Sequence, residues 1–141
     1  MAGDRALRDH LADRIAKVRS ELTESRQSLA DAFVVDGVDR VGALAVRLRA
    51  VEEVLRRPDA GGSGRGPGGR FAAGELEGLY AGDQGGLEGV AHLEQAVVPL
   101  ANAARVGDGV AVTAQIERFR GRIADFESAW QRRQRRVAGL E

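Results

Sequence analysis

The sequence predicts an all-α fold, an antiparallel up-down-up-down four-helix bundle made of two helical hairpins. Hydrophobic residues make up 43% of the 141 residues and charged residues 30%, which is typical of a folded globular domain. Outside the glycine-rich stretches Ala, Leu, Arg and Glu are frequent, and aromatics reach only 4%, a composition that favours helices. In each long segment the apolar residues recur at steps of three and four. We therefore expect a single helical domain covering residues 1–141.

The first predicted helix covers about residues 4–33. Its polar positions carry both signs of charge, and its apolar positions form one stripe, as in an amphipathic helix. Ser25 occupies a place in this stripe where an apolar side chain is expected. The stripe consists of Leu7, Leu11, Ile15, Val18, Leu22, Leu29 and Phe33.

A short turn at 34–38 separates this helix from the second, which should end near Arg57 because Pro58 cannot continue it. Asp36 is suited to be the N-cap of the second helix, with Asp39 in its first turn. The two helices form a first hairpin, 4–57. The apolar stripe of the second helix consists of Val41, Leu44, Leu48, Val51 and Leu55.

The middle of the chain is rich in glycine. Residues 58–70 have almost nothing to bury, and we expect a flexible linker. No Gly-Lys-Ser/Thr ending is present, so a nucleotide-binding loop is not predicted. Residues 71–81 can form a short helix with Phe71, Leu76, Leu79 and Tyr80 on its apolar side.

A second hairpin is predicted at 84–139. Its first helix should run to about Arg105, and Pro99 within it predicts a kink, or a break near Val98. Gly107 and Asp108 then provide a helix stop and an N-cap. The apolar stripe of this helix consists of Leu87, Val90, Leu93, Val97 and Leu100.

The last helix, from about 110 to 140, has the clearest periodicity and most of the aromatic side chains. The spacing of its aromatics favours a core role over ligand stacking. Arg133 interrupts the stripe where a buried charge is costly, so we expect the helix to leave the close-packed bundle beyond Trp130. The stripe consists of Val112, Ile116, Phe119, Ile123, Phe126, Trp130, Val137 and Leu140.

Catalytic and metal-binding patterns are not found in the sequence. A di-iron bundle needs Glu-x-x-His pairs, and neither His10 nor His92 completes one. Glu88 and His92 are four residues apart, which predicts a surface contact on one helix face. With no cysteine and no nucleophile motif, we expect no enzymatic activity, no cofactor and no metal site.

The function expected from these features is binding to another protein or self-association, as an adaptor, assembly subunit or chaperone-like factor. The first and last helices outreach the middle two, which would leave apolar surface around Leu7, Leu11, Phe71 and Leu76. The predicted partner-binding residues are Arg132, Arg133, Arg135, Arg136, Phe71 and Leu76.

The arginine cluster leaves two other interpretations open. Basic side chains in the last turns of a helix also complement the helix dipole without any partner. Alternatively, the cluster serves an anion- or nucleic-acid-binding module. The first residues lack the apolar core of a signal peptide and no apolar run has membrane-spanning length, so a cytoplasmic location is expected.

Overall fold

The structure, a computed structural model, describes the backbone of residues 2–57 and 84–137 and the side chains of residues 5–57 and 84–135. These parts of the chain contain four helices and no strand: α1 (Ala2–Asp31), α2 (Val35–Arg56), α3 (Leu87–Val106) and α4 (Gly109–Val137). The predicted all-α four-helix bundle is confirmed. The predicted linker at 58–70 and short helix at 71–81 lie outside the described residues.

Each helix packs against two others. α1 contacts α2 and α3, and α4 contacts α3 and α2, so the helices follow one another around the bundle in the order α1, α2, α4, α3. We call the line of contact between two neighbouring helices a seam. The α1–α2 seam has the most contact and the α2–α4 seam has the least. The two hairpins are therefore held together mainly through α1 and α3.

The two interhelical turns lie side by side. A Cβ placed on Gly107 would come within 3.0 Å of the Ala32 Cβ, and one placed on Gly37 within 3.5 Å of Val112 Cγ1. This end of the bundle is called the turn end. The opposite end, formed by the first turns of α1 and α3 and the last turns of α2 and α4, is called the open end.

The core consists of the predicted apolar stripes. All the predicted stripe positions of α3 and those of α4 from Val112 to Trp130 are buried. Phe33 is a correction, because it lies beyond α1, adopts a φ of 61° and is 88% exposed. The chain reverses direction there, which turns the side chain away from the stripe. Leu7 and Leu11 are 0% exposed, so these two side chains are not part of an exposed apolar surface.

The structure shows how the helices accommodate Ser25 and Pro99. Ser25 is buried within the stripe of α1, and its hydroxyl donates a hydrogen bond of 2.8 Å to the Glu21 carbonyl one turn earlier. This bond satisfies the hydroxyl within its own helix, so the core tolerates the serine. Pro99 lies inside α3, which continues through it without the break that was one of two predicted outcomes.

The helix ends match the sequence prediction at α4 and differ at α2. The Asp108 carboxylate accepts hydrogen bonds of 3.1 Å from the backbone N–H groups of Val110 and Ala111, as an N-cap does. At α2 the N-cap position is Val34, with no side-chain cap, and Asp36 lies in the first turn. Asp36 there favours the positive end of the helix dipole but does not cap it. None of the described helices is both long and apolar enough to cross a membrane.

Candidate functional site

Residues with catalytic or metal-binding chemistry do not converge in the described part of the chain. No group of three or more His, Cys, Asp or Glu side chains there is placed to hold a metal ion. The Glu88 carboxylate accepts a hydrogen bond from the Gln84 amide, and no described bond joins it to His92. The predicted surface contact between Glu88 and His92 is therefore not formed.

Arginine–carboxylate pairs cross three of the four seams. Arg14 forms a bidentate ion pair with Glu94 across the α1–α3 seam, with its Nη2 and Nε atoms 2.5 and 3.0 Å from the two carboxylate oxygens. The α1–α2 seam has two such pairs, and the α2–α4 seam has two more. These four pairs are Arg19–Glu52, Arg56–Asp13, Arg40–Glu117 and Arg47–Glu127. The pairs fix the alignment of neighbouring helices at the bundle surface.

The Arg19–Glu52 ion pair shifts the pKa of one of its side chains. Arg19 Nε lies 2.5 Å from a Glu52 carboxylate oxygen, and the hydrogen bond that Arg19 donates to Glu52 raises the pKa of the Arg19 guanidinium above its ordinary value. A raised pKa on a base stabilises the fold at every pH below the unfolded-state pKa, and this contribution is lost only as pH rises through the folded-state pKa. The raised pKa of Arg19 therefore adds no pH dependence to stability near neutrality.

The α2–α4 seam opens into an apolar groove at the open end. The groove has a volume of about 350 Å³, and six of its eight lining side chains are apolar. It is lined by Ala50, Val51, Val54 and Leu55 of α2 and by Phe126, Glu127, Trp130 and Gln131 of α4. We call this feature the α2–α4 groove. Its position coincides with the seam that has the least helix–helix contact.

The sequence explains why the helices separate at this point. The Arg47–Glu127 pair, at 2.5 Å, closes the seam on the turn-end side of the groove. Beyond that pair, α2 presents small side chains such as Ala50 opposite the large ring of Trp130. The described side chains leave a space between the two helices, in which Leu55, Phe126 and Trp130 are buried while Ala50, Val54 and Gln131 are exposed.

At the open end of the bundle, Trp130 contacts one aromatic ring and two guanidinium groups. Its ring is nearly parallel to that of Phe126, with the centroids 6.4 Å apart and an angle of 6° between the planes. Guanidinium groups of Arg8 and Arg133 lie 5.9 and 5.7 Å from the ring centroid. Arg8 also donates a hydrogen bond of 3.1 Å to the Val54 carbonyl, which joins α1 to the last turn of α2.

Arg133 corrects one expectation from the sequence. We expected the charge at this stripe position to mark the point where α4 leaves the bundle. Instead, the half-buried side chain lies over Trp130, where the ring quadrupole attracts the cation. Its long aliphatic stem can cover apolar surface while part of the guanidinium stays in water. The helix therefore remains associated with the core through Arg133.

The other predicted partner-binding residues are placed as follows. Arg132 and Arg135 are exposed, and neither forms an ion pair with the residues described. For Arg136 only the helical backbone is described, and Phe71 and Leu76 lie outside the described residues. Arg132 comes directly after Gln131, the last groove-lining residue of α4. The arginine cluster thus borders the α2–α4 groove.

Sequence reasoning missed the groove itself. Its α2 wall lies partly outside the predicted stripe, because Val54 follows a different face of the helix from Val51 and Leu55. One signal was present: α2 carries extra apolar residues beyond its stripe, with Val46 70% exposed and Val54 39% exposed. A broadened apolar face on one helix is the pattern that indicates a second contact surface.

Gly85 shows how tightly the second hairpin is joined to this region. A Cβ on Gly85 would lie 2.6 Å from the Ala129 carbonyl oxygen and 2.8 Å from the Trp130 backbone nitrogen. Only glycine allows the chain entering α3 to pass so close to the backbone of α4. The described residues that precede and follow 58–83 therefore both lie near the groove, since Arg57 is two residues from Leu55.

Comparison with known proteins gives no further guide to function. The chain matches no protein-family model, and neither the curated proteins nor the solved structures give a match.

Proposed function

We propose that this protein is a non-enzymatic helical bundle that binds an α-helical segment of another protein in the α2–α4 groove. The observation that carries the proposal is the apolar groove at the least packed seam, bordered by the arginine cluster. Such a function fits an adaptor, an assembly subunit or a chaperone-like factor.

The shape of the groove favours a helix as its occupant. Its walls are two neighbouring helices, and a third helix packs against such a pair through residues spaced at i, i+3 or i+4, and i+7. Trp130 is 7% exposed and lines the groove from within the core, so a bound helix would contact chiefly the exposed Ala50 and Val54 and would alter the surroundings of the indole ring. Val54 and Leu55 add apolar contact area on the opposite wall.

The charges around the groove favour an acidic partner. Arg57, Arg132 and Arg135 are exposed, and none of them forms an ion pair with another described residue. Carboxylates beside the apolar residues of a bound helix would complement these guanidinium groups. Charges at such a rim chiefly raise the association rate and select the partner, while the apolar contacts supply most of the affinity.

The alternative proposal is an anion- or nucleic-acid-binding module that uses the arginine cluster. It draws less support from the side chains, because Arg133 lies over Trp130 and leaves Arg132 and Arg135 as the exposed cations of the described cluster. The two proposals differ in one measurable respect. If a ligand binds only through the arginine cluster, a substitution inside the groove should leave its affinity unchanged.

The test uses Trp130, which is the only tryptophan of the chain, as the reporter. The probe is a tryptophan-free helical peptide of about 20 residues, with leucines at alternating three- and four-residue spacing and glutamates elsewhere. Titration into the full chain should shift the Trp130 emission saturably. A peptide of the same pattern with lysines in place of the glutamates should bind far more weakly.

Two alanine variants provide the matched comparison. Ala50→Glu places a carboxylate in the groove and should weaken peptide binding at least about tenfold, which is about 1.4 kcal/mol. Ala124→Glu makes the same change at an exposed position of α4 outside the groove and should leave binding unchanged. Equal affinity for the two variants would rule out the groove as the binding site.

Light scattering on the same samples identifies the occupant. A dimer that forms with rising concentration and shifts Trp130 emission without peptide would assign the groove to a second copy of the chain. Binding of duplex DNA that weakens steeply with salt, and is unchanged by Ala50→Glu, would favour the alternative proposal.

A further inference from the structure

The α3–α4 seam differs from the other three in its charges. Among the residues described, no ion pair crosses it, whereas arginine–carboxylate pairs cross each of the others. In place of a pair, His92 on α3 faces Arg118 and Arg122 on α4 across a pocket of about 210 Å³. The remaining lining residues are Gln95, Ala96 and Pro99.

We propose that this pocket is a binding site for a phosphate group, separate from the α2–α4 groove. Arg118 and Arg122 are one helical turn apart on the same face of α4, so both guanidinium groups can reach one ligand. His92 lies on the opposite wall of the pocket. The three side chains thus bring basic groups to one small volume from two helices.

The fold gives these arginines no other described partner. Neither Arg118 nor Arg122 forms an ion pair or a hydrogen bond with a described residue, whereas Arg120 on the same helix pairs with Glu117 at 3.6 Å. The acidic residues nearest in sequence, Glu94 and Glu117, pair with other arginines. Glu88 and Asp125 lie about one turn from His92 and Arg122. Glu88 is already bonded to Gln84, and Asp125 forms no ion pair with the described residues.

Pro99 raises the question of whether Arg118 and Arg122 have a structural role as hydrogen-bond donors to the backbone of α3. Proline has no backbone N–H, so the Gln95 carbonyl lacks the donor that a regular helix supplies. An arginine from α4 would be a natural replacement donor. Neither Arg118 nor Arg122 donates a hydrogen bond to that carbonyl, so these two arginines are not held in this role.

The number and kind of donors favour phosphate over carboxylate. A phosphate monoester presents three terminal oxygens that accept hydrogen bonds, whereas a carboxylate presents two. Arginine binds phosphate with two parallel N–H groups, and the imidazole of His92 adds a third donor group from α3. The side-chain amide of Gln95 adds a neutral donor at the rim.

The experiment follows the arginine side chains of the full-length chain by NMR. Inorganic phosphate is added at constant ionic strength, with chloride as the comparison, while the Nε–H signals of the arginines are recorded. The signals of Arg118 and Arg122 should shift saturably with phosphate only, and that of Arg120 should stay in place. Arg118→Gln with Arg122→Gln should weaken phosphate binding at least about tenfold.

The control variant is Arg120→Gln, which removes the same charge from the same helix and should keep phosphate affinity. Circular dichroism verifies that every variant remains helical. Vesicles of phosphatidylcholine with phosphatidic acid form a second arm. Binding to them that is lost only in the Arg118, Arg122 variant would identify a lipid headgroup as the source of the phosphate.

The proposal is overturned if neither inorganic phosphate nor these vesicles bind. It is equally overturned if all arginine signals shift linearly and alike with phosphate and chloride. Because the pocket lies on the α3–α4 seam, the peptide titration of the α2–α4 groove is independent of it, and one result can fail without the other.

Discussion

Single side chains determine how the open end of the bundle is built. Trp130 lies parallel to Phe126, and Arg8 and Arg133 lie over its ring. The aromatic pair supplies apolar area, while the two guanidinium groups keep contact with water or with backbone carbonyls. Charged residues are thus part of the packing around the largest side chain of the protein.

At this scale the first prediction concerns Phe126, which is 2% exposed. Phe126→Ala should lower the free energy of unfolding by about 3–5 kcal/mol, because it removes the ring and leaves a cavity. Urea denaturation followed by circular dichroism measures the change. Val110→Ala, at a position that is 84% exposed, should change stability by less than about 0.5 kcal/mol. Unchanged stability of Phe126→Ala would show that the ring is not core.

The same residues show what spacing in a sequence can reveal. The steps of three and four placed Phe119, Phe126 and Trp130 correctly in the core, since those positions share one face of a regular helix. The pattern failed at Phe33, where the helix has already ended. It also failed at Arg133, because a spacing rule scores a charge as polar and ignores its attraction to a neighbouring ring.

At the scale of helices, Gly107 before α4 and Gly121 within it have opposite roles. Gly107 precedes α4 as the C-cap of α3, with a φ of 79°, and its N–H bonds to the carbonyls of Ala103 and Ala104. Gly121 lies in the exposed middle of α4, and a Cβ there would meet nothing within 4 Å. One glycine is required by backbone geometry, and the other only weakens its helix.

These two positions give a matched prediction of opposite sign. Gly107→Ala should lower the free energy of unfolding by about 1–2 kcal/mol, because alanine is strained in the left-handed conformation and its Cβ would meet Ala32. Gly121→Ala should raise it by about 0.5–1 kcal/mol by reducing the entropy of the unfolded chain. Thermal unfolding measures both. Shifts of the same sign would contradict this assignment of the two roles.

Helix existence and length were predictable because they depend on local sequence. Pro58, Gly107 and Asp108 marked helix ends correctly through their own backbone chemistry. Pro99 was harder to interpret, since a proline inside a helix has two outcomes and the surrounding packing selects between them. The N-cap was predicted two positions too late, at Asp36, because α2 begins at Val35 and its N-cap is Val34, without a side-chain cap.

At the scale of the whole molecule, the features relevant to the proposed functions lie along the seams between helices. The sequence predicted the four helices, their pairing into two hairpins and the arginine end of α4, but not which helices of the two hairpins would pack against each other. Both candidate sites lie on seams between helices: the α2–α4 groove joins Val54 to Trp130, and the phosphate pocket joins His92 to Arg122. Such pairs are distant in sequence, so no spacing rule within one helix could connect them.

The side-by-side turns have a consequence for motion. At the turn end both hairpins reverse and touch each other, and the α2–α4 seam is held by Arg40–Glu117 and Arg47–Glu127. At the open end that seam is widened by the groove. Amide hydrogens in the last turns of α2 should therefore exchange with deuterium sooner than those in its middle, as helices separate from the open end inward. Mass spectrometry of deuterated fragments would record this gradient, and uniform exchange along α2 would contradict it.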